Sequence, residues 1–107
     1  MLPDSSSNDF EYHEKLKTID TCCLVLDHHD VEKDTQFSSN AIIINNQLSP
    51  EYPNKDLTGA GVTWQFCRAC DQCLSTNYAS ILIDLAALGI CGDMGSILNL
   101  ENRFIMI

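Results

Sequence analysis

Nowhere in the 107 residues is there a run of about 18 or more apolar side chains, so the sequence encodes no helical membrane span. Basic residues are scarce: 6 Lys and Arg stand against 15 Asp and Glu, a formal net charge of −9. That balance argues against a basic nucleic-acid groove on this piece alone, because counterion release needs clustered Lys and Arg. It suits a site of metal-binding carboxylates, whose charge bound divalent ions offset. The opening Met1-Leu2-Pro3-Asp4 lacks a basic segment followed by an apolar core, so no signal peptide is expected. Six cysteines in such a chain read as reduced thiols of a cytoplasmic protein. There is no internal repeat and no domain boundary, and the length suits one small domain with one core.

What is present centres on Leu24-Val25-Leu26-Asp27-His28-His29-Asp30. A short apolar run from about Thr21 to Leu26 reads as a buried strand, and it stops at a carboxylate followed by two imidazoles. In an open parallel sheet, ligands sit beyond the carboxyl ends of the strands. Carboxylate oxygen with imidazole nitrogen suits a divalent ion such as Mn²⁺. A solvated turn with two surface histidines is the plainer alternative.

Around this stretch the chain has the rhythm of an α/β wound sheet with flanking helices. Residues 1–3 are too short for a strand of their own and fit the tail of one. Asp4 opens the cap-rich run Ser5-Ser6-Ser7-Asn8-Asp9. A helix is predicted from Asn8 or Asp9 to Lys17, with Phe10, His13 and Leu16 on one stripe and His13 half-buried. Ala41-Ile42-Ile43-Ile44 is a second β-branched strand, ending at Asn45-Asn46. A turn-rich loop over residues 46–56 leads to Leu57-Thr58-Gly59-Ala60-Gly61-Val62 and a helix carrying Trp64 and Phe66. A further helix runs from Tyr78 to Gly89, where Ile81, Leu82, Leu85 and Leu88 follow helical spacing. It ends in the turn Gly89-Ile90-Cys91-Gly92-Asp93-Met94-Gly95, which holds a lone acid, and a last helical segment covers Leu98 to Ile107.

Cys67, Cys70 and Cys73 invite a zinc or iron–sulfur reading, but structural sites need a fourth ligand and a loop to wrap the ion. At i, i+3 and i+6 of a helix, in register with Phe66 and Val62, they read instead as small buried hydrophobes. Cys22, Cys23 and Cys91 read as structural thiols. Gly59 and Gly61 precede a helix, where free amides could hold a phosphate or missing side chains could allow close packing. Asn45 could contact substrate or simply form a turn.

Taken in order, these signals resemble the DHH phosphoesterase superfamily, in its branch of RecJ-like single-strand-specific exonucleases. Asp27-His28-His29 is similar to the namesake motif. Leu57 to Val62 looks like that branch's Leu-Ser-Gly-Ala-Gly-Val helix opening. Leu88-Gly89-Ile90-Cys91-Gly92-Asp93 with Glu101-Asn102-Arg103 looks like its Gly-x-x-Ala-Asp motif and following Glu-Asn-Arg. Pro3-Asp4-Ser5-Ser6 stands where the family places an acid at a strand end. The resemblance implies a phosphodiester hydrolase acting on single-stranded DNA in repair or recombination, with Mn²⁺ or Mg²⁺ in a two-metal site. It implies Asp4, Asp27, His28 and Asp93 as metal ligands and Asp27, His28 and His29 as catalytic. His29 remains open between ligand, phosphate contact and proton relay, and His29, Asn45, Gly59 and Gly61 would face substrate.

Residues 1–107 would then be a partial domain, without the family's first Asp-x-Asp motif and without its second, closing domain. The isolated chain is therefore expected to bind metal weakly and to show little nuclease activity. Rival readings are a phosphodiesterase for short oligonucleotides or cyclic dinucleotides, and a catalytically inactive binding module. Oligomeric state is not legible. The metal-site reading carries one geometric expectation: Asp4, Asp27, His28 and Asp93 should meet at the C-terminal edge of a parallel sheet.

Overall fold

The computed structural model describes residues 1–106. Its centre is a parallel sheet in the order β1-β2-β3, made of Leu2–Pro3, Cys23–Asp27 and Ala41–Asn45. Leu2 pairs with Val25 and Pro3 with Leu26, so the first residues do form a short strand. On the other side the register runs from Cys23↔Ala41 to Asp27↔Asn45. Central β2 has Val25 and Leu26 fully buried, as expected for a strand covered on both faces. The α/β class read from the sequence is the fold.

Between β1 and β2 runs α1 (Phe10–Lys15), continued by a 3₁₀ turn over Leu16–Ile19. The α-helical part is shorter than its periodicity suggested, because the chain tightens at Leu16 and turns at Asp20, whose φ is 52°. His13 is buried, not half-buried, with Nε2 3.1 Å from Ser6 Oγ. Beyond β3, a loop tied by Lys55 Nζ to the carbonyl oxygens of Asn46 and Ser49 reaches α2 (Gly59–Leu74). Thr58 caps α2 by accepting a hydrogen bond from Gly61 N, a contact of about 1 kcal/mol.

A 3₁₀ turn (Ala79–Leu82), α3 (Ile83–Gly92) and α4 (Leu100–Met106) complete the chain. The core joins Leu26 and Leu57 to Val62 and Trp64 of α2, Ala86 and Ile90 of α3, and Ile105 of α4. α3 meets α2 through small residues: a side chain on Gly89 would overlap Ala60. Consequently the large residues read from helical spacing, Ile81, Leu82, Leu85 and Leu88, are exposed, and Ala79, Ala86 and Ile90 are buried instead. The 3₁₀ turn shifts the helical phase, so the apolar spacing marked the helix but not its buried face.

The cysteine reading also needs correction. Positions three apart fall back about 60° around a helix at each step. Cys67 packs against the core, Cys70 is half-buried and Cys73 is exposed. Cys22 and Cys91 are exposed too, and only Cys23 is buried. The end of the last predicted segment, Ile107, lies outside the described residues.

Candidate functional site

Parallel strands deliver their carboxyl ends to one edge, and here that edge gathers chemistry. β1 ends at Pro3, and the next residue, Asp4, still donates its backbone N–H to Leu26 O at 2.7 Å. Asp4 then adopts a left-handed conformation (φ 60°), which costs a residue with a Cβ about 1 kcal/mol and swings its carboxylate over the end of β2. Room for that carboxylate exists because residue 59 is glycine: a Cβ there would overlap the Asp4 side chain. Gly61 differs, since its missing side chain makes space for Leu57 in the core.

His28 lies at the centre. Its Nε2 is 3.1 Å from Asp4 Oδ1 and 3.4 Å from Asp93 Oδ2. Asp93 arrives from the far side, just past α3, where the chain turns through a left-handed Met94 and Gly95 N bonds back to Ile90 O at 2.8 Å. α3 therefore runs past Gly89 to Gly92, and the left-handed residue of the turn is Met94, not one of its glycines. The rings of His28 and His29 lie 4.4 Å apart. Asp4, His28 and His29 each present a ligand atom, all within 4.8 Å of one another. Two imidazole nitrogens and a carboxylate oxygen so placed form a donor set for a borderline-hard divalent ion. Among the described residues no other such group of three occurs.

Asp27 is turned the other way. It is buried, and Oδ1 accepts from His28 N at 2.8 Å and His29 N at 3.3 Å and lies 2.7 Å from His29 Nδ1. Its Oδ2 accepts from Ser7 N at 3.1 Å. Burial pushes its pKa up, but the hydrogen bonds from Ser7, His29 and the His28 amide more than offset this and hold it at about 2. The reciprocal effect raises the pKa of His29, chiefly through its hydrogen bond to Asp27. An ionised Asp27 thus orients the His29 ring from behind.

Asn45, opposite Asp27 in the sheet, is buried and engaged inside the fold. Its amide donates to Ser7 Oγ at 2.9 Å and His29 O at 3.0 Å, and its oxygen accepts from Gln47 N at 2.8 Å. Gln47 in turn donates to His28 O at 3.3 Å. Ser7 and Gln47 were not singled out from sequence. Ser7 was one of three consecutive serines read as helix caps, and nothing in the sequence separates it from Ser5 or Ser6.

Glu101 and Asn102 sit apart from this edge. They lock α4 onto the 46–56 loop: Asn54 donates to Glu101 Oε2 at 2.7 Å and to Asn102 Oδ1 at 3.0 Å, and Tyr52 Oη donates to Glu101 at 2.5 Å. Burial and the neighbouring Glu101 raise the pKa of Tyr52.

With this geometry in view, likeness to known proteins takes on meaning. No family model matches the chain, and no solved structure matches it. It is 44% identical over 106 residues, 99% of its length, to the SPbeta prophage-derived protein YorK of Bacillus subtilis (strain 168). The same identity holds for YorK of Bacillus phage SPbeta. Both relatives carry the provisional name single-strand DNA-specific exonuclease. The chain spans 18% of the length of each. No helix among the described residues is long and apolar enough to cross a membrane.

Proposed function

We propose that this chain is part of a metal-dependent exonuclease of the DHH phosphoesterase type that hydrolyses phosphodiester bonds in single-stranded DNA. The observation that carries the reading is the convergence of Asp4, His28 and His29 donor atoms within 4.8 Å at the carboxyl edge of the sheet. Asp93, 3.4 Å from His28 Nε2, supports it, as does 44% identity to relatives named single-strand DNA-specific exonuclease.

In this reading Asp4, His28 and His29, with Asp93 beside His28, would hold Mn²⁺ or Mg²⁺, and Asp27, expected from sequence as a ligand, supports them from behind. Bound metal would supply an activated water and charge stabilisation for the leaving oxygen. Asp27 fixes the direction of the His29 ring, and His29, more than half exposed, is free to meet phosphate or carry a proton. Gly59 and the start of α2 keep backbone close to the site, where helix amides favour phosphate. Residues 1–107 form one part of the catalytic domain, and single-stranded DNA is the partner of the whole protein.

The test is a chimera in which this chain replaces the matching segment of Bacillus subtilis YorK. Labelled single-stranded DNA, short oligoribonucleotides and cyclic dinucleotides are offered with Mn²⁺. The expected result is DNA hydrolysis that disappears on His28→Ala. Preference for cyclic dinucleotides, or activity indifferent to His28→Ala, would overturn the reading.

A further inference from the structure

The carboxyl edge holds a closed hydrogen-bond ring. Asn45 Nδ2 donates to Ser7 Oγ (2.9 Å), and Ser7 N donates to Asp27 Oδ2 (3.1 Å). Asp27 Oδ1 meets His29 Nδ1 at 2.7 Å, and His29 O accepts from Asn45 Nδ2 (3.0 Å). The ring crosses three chain segments: the loop after β1 that carries Asp4, the turn after β2 that carries both histidines, and the end of β3. We infer that Asn45 is a positioning residue that locks the Asp4 loop to the His28-His29 turn, and that it does not touch substrate.

Side-chain chemistry explains why asparagine stands there. The position needs two donors, for Ser7 Oγ and His29 O, and an acceptor for Gln47 N, all within the reach of one short side chain. Only the asparagine amide meets that demand at this length: aspartate accepts without donating, and serine has a single donor. Asn45 is 1% exposed, so no group on it is available to a ligand without opening the ring. The sheet register enforces the placement, because Asn45 is the ladder partner of Asp27. Parts that orient metal-binding groups from behind typically change metal affinity about 10- to 100-fold when removed.

The inference rests on the metal-site reading above, but its test has an arm that does not. The 107-residue chain and its Asn45→Ala, Asn45→Asp and Ser7→Ala variants are compared by amide hydrogen exchange and by Mn²⁺ titration followed by electron paramagnetic resonance. Asn54→Ala serves as a control that removes an equally buried amide from the α4 contact. Expected are faster exchange at the Ser7 and His29 amides and roughly tenfold weaker Mn²⁺ binding in the Asn45 variants. Ser7→Ala, which loses one acceptor, should show the same changes to a smaller degree. Asn54→Ala should lower the melting temperature and leave both readouts unchanged. If Asn45→Ala fails to fold, Asn45→Asp and Ser7→Ala carry the comparison. Unchanged exchange at Ser7 and His29 in the Asn45 variants would overturn the inference. Should the wild-type chain bind Mn²⁺ too weakly to titrate, the exchange readout alone decides the inference, and the YorK chimera decides the metal reading.

Discussion

The carboxylate of Asp4 occupies the space that a side chain on Gly59 would fill. Gly59→Ala is therefore expected to push Asp4 away from His28, because the Asp4 backbone is tied to Leu26 and cannot retreat. Mn²⁺ affinity should fall about tenfold with little change in melting temperature. Gly61→Ala, which meets Leu57 in the core, should do the reverse and cost about 1–3 kcal/mol of stability. Isothermal titration and urea melts on both variants separate the two effects.

Asp27 and His29 give stability a pH dependence with two limbs. The folded pKa of Asp27, about 2, lies below its ordinary 3.8. Its contribution, on the order of 2 kcal/mol, is complete above the ordinary value and is lost as pH falls from about 4 towards 2. His29 is raised above its ordinary 6.5, so its share is present below that value and fades as pH climbs through the raised one. Denaturation at a series of pH values should show best stability between these limits. Asp27→Asn should flatten both limbs, and an unchanged profile would remove the pair as the cause.

Asn54 is buried and supplies donors to both Glu101 and Asn102. Asn54→Ala leaves buried acceptors short of a partner, a loss of about 1–3 kcal/mol in urea denaturation. A loss below a few tenths would mean that water replaces the amide freely.

The exposed row Ile81, Leu85 and Leu88 should govern solubility rather than folding. Leu85→Glu with Leu88→Lys is expected to shift stability by no more than about 0.5 kcal/mol per site and to reduce self-association in light scattering. A cooperative loss of fold would show that these leucines are packed.

Thiol reactivity offers a check on the cysteines. Cys22, Cys73 and Cys91 are exposed and should be alkylated first. Cys23 should react last, and Cys67 slowly, because burial raises its thiol pKa. Mass spectrometry of a timed reaction gives the order.

The sequence was most readable where local pattern and burial agree. Most of the Thr21–Leu26 run, from Cys23 on, became β2, and Ala41–Ile44 became β3, because short apolar runs bounded by polar residues leave little choice. The convergence of Asp4, His28 and Asp93 was legible for the same reason, since each follows the end of an element. Asp27 was foreseen at that edge, but not its inward turn, which depends on an amide twenty residues away at Ser7. Helix faces were less legible. Whether Leu85 or Ala86 points inward is set by how closely α3 approaches α2, and that approach depends on the pairing of Gly89 with Ala60. No periodicity in α3 alone contains this information.

The pairing of Asp27 with Asn45 in the strand register has a consequence for how such chains can change length. A residue inserted within Ala41–Asn45 would turn Ile44 towards Ser7 and His29 and point the amide to the opposite face. Insertions at Gln36 and Phe37, exposed, outside any strand or helix and past the contacts of Asp30, Glu32 and Thr35 with Asn8, alter chiefly the length of the connection. Length variation among related chains is thus expected to gather in that connection and to be absent from the five residues of β3. The distance along the chain from the paired histidines to the asparagine is free to drift, while the ladder that brings them side by side is not.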